Sequence, residues 1–277
     1  MAERKRYHLI IVLLLLLFSF NIYAQNIDTS YKDPDNVDVK LFRLFNNSRT
    51  QTLDDIIHIT DVSILPVSIL TPVTLFTVSR INDDTYDENS AVLLALSEIT
   101  SAAVSQTLKA VIKRPRPFSK LKNVIHTKND EKLLDPYSFP SGHSSMAFSF
   151  ATSLTLRYPD KPLLITGLYS YAMIVSIGRI YLGNHYPSDV LAGMLIGSGS
   201  AILIYSLRPE IISLKNNIFG EKNKPDENKS EFISPLFLGT FIVSDLINNY
   251  LLNPGDNIKL NFHSSGKSNF INFNYTF

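Results

Sequence analysis

The sequence predicts an all-α fold, a membrane bundle of about six apolar helices, with a small β-hairpin tail at the C-terminus. Three observations predict it. Apolar residues are gathered into helix-length blocks with polar segments between them, although mean hydropathy over the 277 residues is only +0.06. One block, Val62 to Ser79, carries no charge, which is the composition that a lipid-facing segment needs. Beyond residue 257 the period changes, and apolar and polar residues alternate around Ser264-Ser-Gly-Lys267 as they do in a hairpin.

Bulk composition narrows the chemistry. The net charge of +1 leaves no electrostatic footprint for nucleic acid. The chain has no cysteine, so disulfides, thiolate metal sites and a cysteine nucleophile are all excluded.

Residues 1–24 open with Arg4-Lys5-Arg6, continue through an apolar run from Leu9 to Phe20 and reach a small residue at Ala24. This pattern predicts a secretory signal cleaved after Ala24, or an uncleaved first membrane helix. Either version sends the following chain outward, because the basic cluster stays inside. The helical domain spans residues 25–207. Leu41, Phe42, Leu44, Phe45, Leu53, Ile56 and Ile57 recur at helical spacing and predict an amphipathic helix pair ahead of the first span, lying at the surface or interface or equally turning its apolar face to the core, with His58 at its boundary. Pro66 and Pro72 are expected to bend the Val62–Ser79 block rather than end it. Ala91 to Ile112, Met146 to Leu156, Leu163 to Leu182 and Val190 to Leu207 complete the set, the second of these short unless it reaches back to Gly142. Gly193, Gly197, Ser200 and Ala201 give the last block a small face for close helix contact.

If the blocks alternate sides, residues 113–142 and 183–189 lie outside. Arg80, Arg157, Lys161 and the basic tail then lie inside, as the positive-inside tendency requires. The basic loop 113–142 opposes that tendency and needs a reason of its own. Residues 208–230 read as a polar linker, and residues 231–277 as a tail holding the possible hairpin.

Three clusters fall on the outer side: Lys109-Ala-Val-Ile-Lys-Arg-Pro-Arg116-Pro117, Pro140-Ser141-Gly142-His143, and Gly178-Arg179-Ile-Tyr-Leu-Gly-Asn-His185-Tyr-Pro-Ser-Asp189. They supply fixed cations, a helix start with a hydroxyl cap, and two histidines, one of them four residues before a carboxylate. Phosphoryl transfer spreads negative charge over three oxygens, so such donors suit it, and no carboxylate cluster of the kind that holds a divalent metal accompanies them. An anionic substrate would also explain the basic outer loop.

At these residues the chain resembles the type 2 phosphatidic acid phosphatase superfamily, which includes membrane lipid phosphatases, soluble acid phosphatases and vanadium haloperoxidases. Lys109 and Arg116-Pro117 match its first motif, Pro140 to His143 its second, and Arg179, His185 and Asp189 its third, with Gly178 standing where the motif has serine. The resemblance implies a four-helix core and no cofactor. It implies His185 as the nucleophile forming a phosphohistidine, Asp189 orienting it and His143 as general acid. Lys109, Arg116, Ser141, Gly142 and Arg179 would cradle the phosphate.

Other residues have plainer expectations. Lys113 and Arg114 read as solvated loop charges. Lys120, Lys122 and Lys128 meet a charged headgroup or equally form a wet lid, with His126 a bystander in it, and Tyr181 and Tyr186 are packing or interface aromatics. Glu98 should face the bundle interior, either pairing with Lys109 or Arg116 or reaching water. The expected protein is an integral inner-membrane enzyme of a bacterial envelope. Its site would face the periplasm and take a lipid phosphate or pyrophosphate. The alternatives are a soluble periplasmic acid phosphatase and a haloperoxidase that holds vanadate in the same cradle.

Overall fold

The computed structural model describes residues 35–126, 135–221 and 226–227, and the backbone of two strands at 258–265 and 268–275. The leader expected at residues 1–24 lies outside the described residues, as does Lys128 of the lid.

Helix α1 (Val37–Asn46) starts where the Asn36 side chain accepts the amide of Val39 at 2.9 Å. Its apolar face buries Val39 and Phe42 against Leu121, Ile180, Tyr186 and Val190. Helix α2 (Gln51–Ile81) is capped by Thr50 and runs through Pro66 and Pro72 without a break. The second member of the amphipathic pair and the uncharged span, expected as separate elements, are therefore one helix of 31 residues. The polar residues after Asn46 break the chain only once, and His58 sits exposed in mid-helix.

Helix α3 (Thr85–Ile112) is capped by Asp84 and stops at Lys113, whose φ of 51° is left-handed. The single turn α4 (Pro117–Lys120) follows. Helix α5 (Gly142–Arg157) does extend back to Gly142, with Ser141 as its cap. Then come α6 (Pro162–Tyr181) and α7 (Pro187–Ser206). The helices α2, α3, α6 and α7 are long and apolar enough to cross a membrane.

Helix α5 is the central element and packs against α2, α3, α6 and α7. Small residues make this possible. A Cβ at Gly193 would stand 2.5 Å from the Ser141 carbonyl oxygen, and one at Gly197 only 2.1 Å from that of Ser145. On the other side, Ser145 Oγ bonds Ser101 Oγ at 2.6 Å and Ser105 Oγ at 3.0 Å, drawing α3 onto α5. Ile64, Ala147, Ala151, Ala172 and Val175 fill the gap toward α2 and α6.

The stretch expected as a linker begins instead with helix α8 (Arg208–Phe219), started by Pro209 and ended by left-handed Gly220. Ion pairs hold it together with a few apolar contacts, Ile212 being buried and the Phe219 ring lying 6.1 Å from that of Phe76, too few for hydrophobic periodicity to show. Lys215 Nζ meets Glu88 Oε1 at 2.7 Å, both buried, and Glu221 meets Arg80 at 2.7 Å. Arg157 is buried and binds both carboxylate oxygens of Asp226 at 2.7 and 2.8 Å. These pairs lie at the end of the bundle away from the start of α5. Strands β1 (Ile258–Ser265) and β2 (Ser268–Tyr275) pair antiparallel, with Ile258 opposite Tyr275 and Ser265 opposite Ser268.

Candidate active site

The end of α3, the start of α5, the end of α6 and the start of α7 meet at one end of the bundle, and each brings part of the three clusters. Backbone hydrogen bonds stitch the intervening loops. The Ser138 amide donates to the Arg114 carbonyl at 2.7 Å, and Pro115 bridges Tyr137. The Ser141 amide donates to the Asp189 carbonyl at 3.0 Å, joining the second cluster to the third.

His185 sits on the turn between α6 and α7. Gly183 makes that turn at a φ of 80°, where a Cβ would press on Val124 and the Ile125 carbonyl at 2.8 and 2.9 Å. The amides of Asn184 and His185 then both donate to the Arg179 carbonyl at 3.1 Å, folding the turn back over the end of α6. The His185 ring is 1% exposed, and its Nδ1 lies 2.6 Å from the Ser138 carbonyl oxygen. A carbonyl only accepts, so Nδ1 carries the proton and Nε2 keeps its lone pair. Nη1 of Arg116 lies 3.2 Å from that Nε2. Burial first, then the charges of Arg116, Arg179 and Lys109, hold the ring well below the ordinary imidazole range, so it is neutral.

This geometry corrects the role expected of Asp189. Its Oδ2 stands 3.8 Å from Nδ1, outside hydrogen-bond reach, and the main-chain carbonyl of Ser138 orients the ring instead. The Asp189 carboxylate is occupied elsewhere, accepting from Arg114 Nη1 at 2.6 Å and from the Tyr186 amide at 2.8 Å. Arg114 is likewise not a solvated charge. It also binds Asp38 of α1 at 2.6 Å and stacks 4.0 Å over the Tyr186 ring.

The cations are fixed before any substrate arrives. Lys109 Nζ donates to Asp135 Oδ1 at 3.2 Å and to the Tyr137 carbonyl at 2.7 Å. Arg116 donates from Nε to the Asp135 carbonyl at 2.8 Å and from Nη1 to that of Asn184 at 3.1 Å. Asp135 stays ionised: burial pushes its carboxyl up, but Lys109 and Arg116 outweigh that and pull it down. Arg179 is 1% exposed and donates from Nη1 to Asp61 of α2. Its Nε and Nη2 are buried with no hydrogen-bond partner among the described residues. Buried guanidinium N–H groups without acceptors are costly, and an anion in the cradle would satisfy them.

Ser141 caps α5 with its side chain, and a Cβ on Gly142 would meet nothing within 4 Å, so the helix start opens onto free space. His143 Nε2 lies 3.9 Å from Asp61 Oδ1. Burial first and then the charge of Arg179 push its ring pKa down to about 3, with Asp61 opposing that shift, so the ring is neutral until further negative charge enters the site. The charged motif positions Lys109, Arg116, His143, Arg179, His185 and Asp189 thus come to one place. Glu98 faces the interior but pairs with neither Lys109 nor Arg116, which are taken by Asp135. The lid residue His126 lies against the Phe118 ring at 4.9 Å.

Four participants escaped the sequence reading. Asp135 was visible only as the acid opening the turn before Pro140. Asp61 stands one residue ahead of the uncharged block and reads there as a span boundary. Arg114 is masked by the basic run around it, and the Ser138 carbonyl leaves no mark in a sequence. Gly178 is explained by packing: a Cβ there would stand 3.0 Å from Ile57 Cγ2, so α2 occupies the space of a serine side chain. No group of three or more His, Cys, Asp or Glu placed to hold a metal ion occurs among the described residues.

Comparison with known proteins agrees with this arrangement. A family profile described as the PAP2 superfamily matches residues 90–213, which takes in all three clusters. The undecaprenyl-diphosphatase of Sulfolobus acidocaldarius is 31% identical over 209 residues, covering 72% of this chain and 90% of that protein. A lipid A 1-phosphatase of Rhizobium etli is 30% identical over 98 residues, covering 32% of this chain and 41% of that one. The crystal structure of LpxE from Aquifex aeolicus superimposes with a TM-score of 0.50 at 30% identity, covering 61% of this chain and 94% of that chain. With its motifs in order on a shared bundle, the chain belongs to the PAP2 superfamily and is a membrane phosphatase of that type.

Proposed function

We propose that the protein hydrolyses a lipid phosphate or lipid pyrophosphate through a phosphohistidine on His185, at the periplasmic face of the membrane. The observation that carries the reading is the single tautomer of His185: Nδ1 is committed to Ser138 O at 2.6 Å, leaving Nε2 among the cations. The phosphate would sit between Arg116, Arg179, Lys109 and the start of α5 at Ser141 and Gly142. Nε2 attacks phosphorus, the N–P bond forms, and the bond from phosphorus to the leaving oxygen breaks. His143, protonated once the negative charge of the phosphate joins that of Asp61 beside it, gives that oxygen its proton and becomes neutral. In the second half, neutral His143 takes a proton from water as the water attacks phosphorus. The N–P bond breaks, inorganic phosphate leaves, and both rings return to their starting states.

Substrate class and sidedness have separate supports. Relatives carry names of lipid-linked phosphatases, among them undecaprenyl-diphosphatase and lipid A 1-phosphatase. The site lies among helices of membrane-spanning length, which suits a substrate whose tail stays in the bilayer. Arg80, Arg157, Lys161 and Lys215 gather at the opposite end of the bundle, which the positive-inside tendency assigns to the cytoplasm.

The test is phosphate release by purified full-length protein in detergent, assayed on phosphatidic acid, a polyprenyl pyrophosphate and lipid A. Turnover of at least one of these, abolished by His185→Ala with the fold retained, is expected. Full activity of His185→Ala would overturn the nucleophile. Release of the protein from membranes by carbonate washing would favour a soluble acid phosphatase.

A further inference from the structure

We propose that Asp61 of α2 is a positioning residue of this site, aiming Arg179 at the phosphate and serving as the counter-charge of His143. The inference rests on the roles given above to Arg179 and His143.

Asp61 Oδ1 accepts from Nη1 of Arg179 and lies 3.9 Å from Nε2 of His143, so one carboxylate touches the phosphate-holding arginine and neighbours the acid. It engages one end of the guanidinium only. Nε and Nη2 of Arg179 stay buried without a partner among the described residues, so the planar group is anchored on one edge and presents the other. The geometry of α2 explains why an acid stands there. Ile57, one turn before Asp61, takes the volume beside Gly178 where the motif has serine. The hydroxyl next to Arg179 is therefore absent, and the same face of α2 supplies a carboxylate to that arginine.

His143 is surrounded by Asp61 from α2, Arg179 from α6, Arg116 from the loop after α3, Lys109 from the end of α3 and His185 from the turn before α7. Burial and then the cations oppose a positive charge on the ring, and Asp61 favours it. The imidazolium charge is shared by both ring nitrogens, so a carboxylate beside Nε2 stabilises a proton on either. Removing that charge while keeping the acceptor should weaken His143 as an acid and leave Arg179 held.

The experiment uses the full chain in detergent as wild type, Asp61→Asn, Asp61→Glu and His185→Ala. Activity is read on p-nitrophenyl phosphate, whose leaving group needs no proton, and on phosphatidic acid, whose alkoxide does. Asp61→Asn should lower kcat on phosphatidic acid by about 100-fold and on p-nitrophenyl phosphate by less than about tenfold. The alkaline limb of its kcat profile should move to lower pH, because a weaker hold on the proton releases it earlier. Asp61→Glu should restore most of the loss. Equal loss on both substrates with an unmoved limb would mean a structural role and overturn the inference, as would wild-type behaviour of Asp61→Asn. Should Asp61→Asn fail to fold, the same two substrates and the same limb are read on Asp61→Ser, where the same outcomes support or overturn the inference. His185→Ala keeps the two readings apart. If it retains turnover the phosphohistidine scheme fails, and if it is inactive while Asp61→Asn is unaffected, only the role of Asp61 falls.

Discussion

Nη1 of Arg116 lies 3.2 Å from Nε2 of His185, so the first cluster reaches the third at the atom assigned as nucleophile. The arginine is itself held by the carbonyls of Asp135 and Asn184 and by the Asp135 carboxylate. It can thus neutralise phosphate oxygens without first being ordered, the preorganisation on which electrostatic catalysis depends.

Arg116→Lys should lower kcat by about 100-fold or more, because a point charge cannot replace a planar donor held at both ends. Phosphate release at saturating substrate checks this, and a loss under about tenfold would contradict it.

His185 should remain neutral as the pH falls through the ordinary imidazole pKa of about 6.5. The sign follows from its surroundings: burial and then Arg116, Arg179 and Lys109 disfavour the charged ring, so the folded protein takes up that proton only at lower pH. Ring signals of carbon-13-labelled histidine, assigned with His185→Asn, would follow the titration directly. Protonation at or above the ordinary value would refute the arrangement.

Arg114→Ala should destabilise the protein by about 2–3 kcal/mol, because it strips a buried Asp189 of its cation. Thermal unfolding in detergent measures this. Asp189→Asn, which removes the buried charge together with its need for a partner, should cost less.

Gly197→Ala should cost about 1–3 kcal/mol, the usual range for overpacking, since the new methyl would stand 2.1 Å from the Ser145 carbonyl oxygen. Ser145 is two residues beyond His143, so turnover should fall together with thermal stability. Unchanged stability would mean that α5 and α7 separate more easily than their contact suggests.

Gly178→Ser should reduce stability and activity by itself and be rescued in part by Ile57→Ala, which removes the closest contact, Ile57 Cγ2 at 3.0 Å. Measured as a double-mutant cycle, the pair should couple. Additive losses would contradict the packing account.

The cations and both histidines were legible because each must be one particular residue type at a fixed place along a helix or turn. Lys109, Arg116, His143, Arg179 and His185 follow from that constraint, and the helix start at Gly142 from its cap. What stayed hidden depends on partners far away in the chain. Asp61 acquires meaning only when α2 lies against α6, and Arg114 only when α1 brings Asp38 to it. Helix α8 was missed for a related reason: ion pairs through Lys215 and Glu221 carry much of its packing, and ion pairs leave no periodicity. The 31 residues of α2 merged two expected elements because an amphipathic start and an apolar end share the same helical backbone.

The acceptor that fixes the His185 tautomer is the peptide oxygen of residue 138, and no codon change at that position deletes it. A substitution there acts on the buried Ser138 hydroxyl, which donates to the Pro115 carbonyl at 3.2 Å, while the peptide oxygen stays in place as long as the main chain of Arg114 and Pro115 holds the segment. The group that orients the proposed nucleophile is thus inherited through the course of the loop, and is lost when that course changes.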